Sequence, residues 1–259
     1  MAKSAEKKAK SSKPVQPAKA EPAHGYFAWS RDPAVGFFAV LPLWLLYELL
    51  RIRLTPEERN GAEILLVQAV EQVGPRGHLV LSAMLALCMV LAARSLVRRQ
   101  VPWLRVAMVS ALEGTVYGLL LGPLSAALAS SAARVLSAVP AQAADSMRLQ
   151  QDLVGAMGAG IFEELLFRLA FMSLLIWAWG RVGRVLDLPQ ALGGALAVVV
   201  SAVVFSWFHH VWGEPFTMSA FLFRAMAGVL LGILMIFRGY GVCVYTHVLY
   251  DVHYYLTRS

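Results

Sequence analysis

Seven runs of mostly apolar residues are close to bilayer-crossing length: 33–50, 79–97, 101–121, 153–179, 192–212, 217–237 and 241–256. A spanning helix needs about 20 such residues. In lipid the backbone must satisfy its own hydrogen bonds, so a chain built this way folds into helices. The expected fold class is all-α, a polytopic transmembrane helix bundle of seven or eight spans with a polar cavity inside the membrane. The eighth candidate is 124–139, beyond the Gly122-Pro123 break; it is rich in Ala and Ser, only weakly apolar, and carries Arg134. It reads as a short span, a re-entrant helix or an interfacial one. Segment 62–73 puts Ala62, Leu66, Ala69, Val70 and Val73 on one face and is diluted by Glu63, Gln68, Glu71 and Gln72. That pattern predicts an amphipathic helix lying at the interface.

Composition agrees. Charged residues are 15% of the chain and hydrophobic residues 58%, where soluble domains carry about 25% charged. The net charge of +7 raises nucleic acid as a partner, but six lysines, Lys3, Lys7, Lys8, Lys10, Lys13 and Lys19, crowd into the first 24 residues among Ala, Ser and Pro. No aromatic residues alternate with them, which argues against nucleic-acid binding. Residues 1–26 therefore read as a disordered basic arm on the cytoplasmic membrane surface, and 27–259 as one membrane domain. The implied partner is the lipid bilayer, and the expected placement is multi-pass with the N-terminus cytoplasmic. Cys88 and Cys243 lie in apolar runs without Cys or His neighbours, and read as packing thiols rather than a disulfide or zinc pair.

Glu163-Glu164-Leu165-Leu166-Phe167-Arg168 interrupts the fourth run. A charge at the membrane centre costs about 2.5–3.5 kcal/mol on insertion scales, so three ionisable groups in six residues need a reason. Glu164 and Arg168 are four residues apart and can pair on one helix face. Glu163 is turned by about 100° and left for other work. The next run ends in Phe205-Ser206-Trp207-Phe208-His209-His210. Phe205 and His209 share a face there, and at most one of the two histidines can look toward the Glu pair. The last run carries His247 and Asp251 on one face, with Tyr250 and Tyr254 close by. Each group alone is explained equally well as an ion pair or a hydrogen-bonded packing residue. Polar groups on three apolar helices together point to one cavity. A carboxylate beside an imidazole can hold and deprotonate water, and a second imidazole can stabilise an oxyanion. The chain has no Gly-x-Ser-x-Gly elbow and no His-Glu-x-x-His zinc helix.

Glu163-Glu164-x-x-x-Arg168, Phe205-x-x-x-His209 and His247-x-x-x-Asp251, in that order, resemble the motif set of the CAAX protease and bacteriocin-processing (CPBP or ABI) family of glutamic intramembrane endopeptidases. The likeness spans about 153–256, within a catalytic core placed at 152–256. It implies a peptide hydrolase that needs no cofactor and no metal, acting in a bacterial inner membrane on a membrane-associated or membrane-anchored protein substrate. It implies Glu163 as general base for the attacking water and His209 as its helper. Glu164 and Arg168 would tune Glu163, and His247 and residue 251 would line the oxyanion site. Phe205 and Tyr250 are read as substrate contacts. The CAAX protease pattern has Asn where this chain has Asp251; an ionised Asp cannot donate to an oxyanion, so it must be protonated or must orient His247.

Two rivals share these residues. One is a zinc protease ligated by Glu163, His209 and His247; the other is a proton-relay transporter or a silent immunity scaffold. Glu48 and Glu113 read as helix-pairing groups or as residues that shape the cavity, and Arg224 as paired or snorkelling. Trp44, Trp103, Trp177, Trp179, Trp207 and Trp212 read as interface anchors. Arg94, Arg98, Arg99 and Arg105 should be cytoplasmic like the lysine arm; seven spans also bring Arg181, Arg184 and Arg238 to that side, so the charge rule favours seven. Seven spans start the Glu163 helix on the outer face. Family members with eight place the cavity toward the cytosol.

Overall fold

The computed structural model describes residues 25–53, 59–133 and 149–258. They fold into helices with no strand among them: α1 (Tyr26–Ser30), α2 (Pro33–Leu50), α3 (Gly61–Glu71), α4 (Gly77–Arg98), α5 (Trp103–Ala133), α6 (Leu149–Gly158), a π-helical segment (Ala159–Met172), α7 (Ser173–Val185), α8 (Gln190–Val211), α9 (Met218–Arg238) and α10 (Tyr240–Arg258). Five of them, α2, α4, α5, α8 and α9, are long and apolar enough to cross a membrane. The runs at 153–179 and 241–256 are not among these five: the first is divided among α6, the π-helical segment and α7, and α10 carries Asp251 and two histidines among its tyrosines. Both are helical, and Glu163, Glu164, Arg168 and His247 are buried in them.

Short turns make successive long helices antiparallel. One end of the bundle gathers α1, the start of α2, the α4–α5 turn, the α7–α8 turn and the α9–α10 turn. The other gathers α3, the end of α5, the start of α6, the α8–α9 turn and the end of α10. Asp32 caps α2, accepting from Ala34 N and Val35 N, and also pairs with Arg99 beyond α4, which fastens the first end. Arg238 of α9 pairs with Glu113 of α5, and Tyr26 of α1 donates to the same carboxylate. At the other end Glu48 pairs with Arg51 at 2.7 Å and accepts from Ser82 of α4. Glu48 and Glu113 are thus helix-pairing groups, as read from sequence.

Two expectations are corrected. First, the Gly122-Pro123 pair does not break the chain: α5 runs through it to Ala133, so 124–133 extends the third run rather than starting a new helix. Residues 134–139 lie outside the described part, as do 1–24. The physical reason is packing. Gly114, Gly118 and Gly122 form one stripe, and a Cβ at each would stand 2.5, 2.9 and 2.8 Å from Tyr245, Thr246 and Tyr250 of α10. Small residues at this spacing let two backbones approach, and that contact outweighs the hydrogen bond lost at Pro123. The amphipathic segment expected at 62–73 falls on α3, with Glu63 buried and Leu65, Ala69 and Val73 exposed. Tyr47 of α2 donates to the Glu63 carboxylate and Arg51 lies 3.9 Å from it, which supplies the partners a buried carboxylate requires. Second, Trp44 is an interior residue packed in the main core with Val40, Tyr47, Phe162 and Val248, not an interface anchor. His210 packs against Phe216 and Phe221, with Nδ1 3.3 Å from the Glu214 carbonyl.

Candidate functional site

The Glu pair lies on the wide part of its helix. From Ala159 to Met172 the backbone bonds in the i→i+5 pattern, and α6 and α7 continue it without interruption on either side. Wider turns rotate successive residues by less than an α-helix does, so Glu163 and Glu164 diverge by less than the 100° expected of a 3.6-residue period. Side chains from neighbouring helices bond carbonyls of this stretch: Ser201 of α8 donates to Phe167 O at 2.8 Å and Tyr240 of α10 to Ile161 O at 3.2 Å. Gly160 allows α10 close, since a Cβ there would stand 2.3 Å from Val248 Cγ2.

Glu164 and Arg168 are fully buried and 3.1 Å apart. The guanidinium carbon lies 4.0 Å from the centre of the Phe205 ring, a cation–π contact in a desolvated place. Glu164 also accepts from Cys243 Sγ at 3.0 Å and from His247 Nδ1 at 2.7 Å. The carboxylate therefore fixes Nδ1 as the protonated nitrogen of His247 and aims Nε2 the other way. There it meets Asp251 Oδ2 at 3.5 Å and Glu163 Oε2 at 3.9 Å. His209 is fixed in the same manner. Its Nδ1 is 3.0 Å from the Phe205 carbonyl, which can only accept, so Nε2 is the free lone pair, and it lies 3.8 Å from Glu163 Oε2.

Glu163 is thus the convergence point. Its Oε1 accepts from Asn60 Nδ2 at 2.7 Å. Its Oε2 is buried and has no hydrogen-bond partner among the described residues, with an imidazole Nε2 on either side. Separations of 3.8 and 3.9 Å exceed a direct hydrogen bond and are spaced for a bridging water. His209 sits in the last turn of α8, and the site lies in the half of the bundle that contains α3 and the α8–α9 turn.

All six residues expected to be catalytic are in one place: Glu163, Glu164, Arg168, His209, His247 and Asp251. The expectation that Glu164 serves Glu163 is redirected, because its contacts run to His247, Cys243 and Arg168. Phe205 is interior, with its face taken by Arg168 and its edge by Phe167, so it walls the site rather than meeting a substrate. Tyr250 lies half-buried near Tyr254 and Phe223. Arg224 is paired with Glu214 at 2.7 Å. Sequence reading missed Asn60 and the bond from Cys243. Cys243 was visible as the residue one turn before His247 on the same face; Asn60 gave only a helix-cap signal. Among the described residues no three His, Cys, Asp or Glu side chains are grouped so as to hold a metal ion.

The fold and site define a multi-pass helical membrane protein with a carboxylate–arginine–histidine centre enclosed by its helices. Residues 146–253, from just before α6 into α10, match the family model described as type II CAAX prenyl endopeptidase Rce1-like. The likeness read from the three motifs covers the same stretch. No curated protein and no solved structure matches the chain.

Proposed function

We propose that the protein is an intramembrane endopeptidase that hydrolyses a peptide bond near the C-terminus or membrane anchor of a protein substrate, with water activated by Glu163. The observation that carries this is the unpartnered, buried Glu163 Oε2 set between two oriented imidazole nitrogens. A water held there donates to Glu163 and to His209 Nε2. Glu163 takes one proton as the water oxygen attacks the scissile carbonyl carbon. The oxygen of that carbonyl becomes an oxyanion, which His247 stabilises by donating from Nε2 when it carries both protons. Asp251, beside that nitrogen, favours the doubly protonated ring and so acts through His247. The proton on Glu163 then passes to the amide nitrogen as the C–N bond breaks. Glu164 and Arg168 hold His247, and Tyr250 lines the approach.

The charge distribution supports an orientation. Arg94, Arg98, Arg99, Arg105, Arg181, Arg184 and Arg238 lie at or near the α1 end and six lysines precede α1 in the sequence, against Arg51, Arg59, Arg76 and Arg224 toward the α3 end. By the positive-inside rule that end is cytoplasmic, so the site is nearer the opposite face and takes substrates from there.

The test compares membranes containing the wild type with membranes containing Glu163→Gln. C-terminal peptides of membrane-anchored proteins are expected to shift in the first only. Identical C-termini in the two sets sink the proposal.

A further inference from the structure

The family match begins at residue 146, yet one hydrogen-bond partner of Glu163 comes from far outside it. Asn60 stands at the N-terminus of α3, and both ends of its amide are committed. Its Oδ1 accepts from Ala62 N at 2.8 Å, which a backbone N–H requires, so the other end must be Nδ2, and this donates to Glu163 Oε1 at 2.7 Å. The cap geometry thereby fixes the direction of the donor. The element that carries it is fixed too. Glu63, one turn into α3, is buried and bound by Tyr47 of α2, with Arg51 beside it. Gly61 lies flat against Trp212 beyond α8, where a Cβ would come within 2.9 Å of the indole. Tyr47 in turn packs its ring on Phe162, the residue before Glu163, at 5.5 Å between centroids.

We infer that Asn60 is a positioning residue for Glu163, supplied by the α2–α3 half of the chain: it occupies Oε1, holds the carboxylate plane, and leaves Oε2 as the oxygen that meets water. The inference rests on Glu163 being the base proposed above. A carboxylate free to rotate would exchange its two oxygens and lose alignment with His209 and His247. Misplacement on that scale lowers turnover by about tenfold to a hundredfold without weakening substrate binding, since Asn60 meets the carboxylate and not the substrate.

Two substitutions separate the donor from the cap. Asn60→Ser and Asn60→Asp both retain a capping oxygen for Ala62 N, and neither carries an amide donor. The full-length protein in micelles is assayed on a synthetic peptide spanning a C-terminus that shifts between wild-type and Glu163→Gln membranes. Both variants are expected to keep the wild-type melting temperature and KM while kcat falls by about tenfold to a hundredfold. Infrared difference spectra, with the Glu163 carboxylate bands identified by Glu163→Gln, are expected to shift in both. Wild-type kcat in Asn60→Ser overturns the inference, and so does a loss of activity that only tracks loss of folded protein in both variants. If Glu163→Gln itself keeps full activity, the proposed function fails and this inference falls with it. If Glu163→Gln is inactive and Asn60→Ser is not, only the role of Asn60 is wrong.

Discussion

Two carboxylates adjacent in sequence face different tests of removal. Glu164 is fully buried against Arg168, His247 and Cys243, so Arg168→Met leaves a charge without its cationic partner. Breaking a buried pair from one side costs about 3–5 kcal/mol, while replacing both partners by neutral groups costs far less. Arg168→Met is therefore expected to lower the thermal unfolding temperature sharply, and Glu164→Gln with Arg168→Met to recover much of the loss. A double-mutant cycle in micelles reads this coupling; additive losses would contradict it. Glu163→Gln removes no ion pair with Arg168 and retains an oxygen for Asn60 Nδ2. It is expected to unfold within about 1 kcal/mol of wild type, the size of an ordinary hydrogen bond, while cleavage falls by about 10²–10⁴-fold, the usual worth of a general base. Spacing in the sequence already held the local pairs, Glu164 with Arg168 and His247 with Asp251, because four residues is one helical turn. It could not hold the pairs between helices. That Glu164 reaches His247, and that Asn60 reaches Glu163 across 103 positions, depends on packing that no short spacing encodes.

At the scale of elements, the π-helical segment and α10 decide where those side chains meet. Gly160 is the contact point, with Val248 Cγ2, Val248 N and the Val244 carbonyl at 2.3, 3.0 and 3.3 Å from a notional Cβ. A methyl there must push α10 away, and His247 sits beside Val248. Gly160→Ala is expected to destabilise by about 1–3 kcal/mol through overpacking and to lower cleavage as well. Val248→Ala in the same chain should restore only part of both, because the backbone contact remains. Unchanged melting and activity in Gly160→Ala would show that the helices have slack here. The glycine stripe at 114, 118 and 122 was open to a sequence reader, and it explains why Pro123 does not end α5. A proline is judged by its neighbours within the bundle, and these are not visible in the local pattern. A second element-scale device is the Asp32 cap, outside the spans. Hydrogen bonds from Arg99 hold its carboxyl below the usual range, against some opposing desolvation. A depressed folded value means the ionised form favours folding: the contribution is complete above the unfolded value of 3.8 and is lost as pH falls through the folded one. Arg99 is 40% exposed, so solvent screens the pair and its worth is at most about 1 kcal/mol. Asp32→Asn keeps the cap and is expected to melt slightly below wild type at neutral pH. The two curves should merge well below pH 3.8; a gap that persists in acid would assign the loss to packing instead.

At the scale of the whole molecule, Arg94, Arg98, Arg99, Arg105, Arg181, Arg184 and Arg238 lie toward the α1 end, while Arg51, Arg59, Arg76 and Arg224 lie toward the α3 end. Glu163, His209 and Asn60 belong to the half that contains α3. Sequence alone left two orientations open because 124–139 could cross or not. The continuity of α5 to Ala133 removes the break on which a separate crossing there was drawn. If the α1 end is cytoplasmic, as proposed above from the charge rule, the α3 end is outside. Two exposed positions read this directly. Val73 follows α3 and is 92% exposed, and Val185 ends α7 at the other end and is 83% exposed. Val73→Cys and Val185→Cys are made in a chain with Cys88→Ala; Cys243 is buried and out of reach of a polar reagent. Neither position touches the site, so Glu163-dependent cleavage can be checked in the same membranes. In intact cells a membrane-impermeant maleimide is expected to label Val73→Cys at once and Val185→Cys only after permeabilisation. The reverse pattern would turn the site toward the cytoplasm and make its substrates cytoplasmic C-termini. Labelling of both before permeabilisation would mean that the α7 end is not cytoplasmic, and the charge rule would then have to yield for this chain.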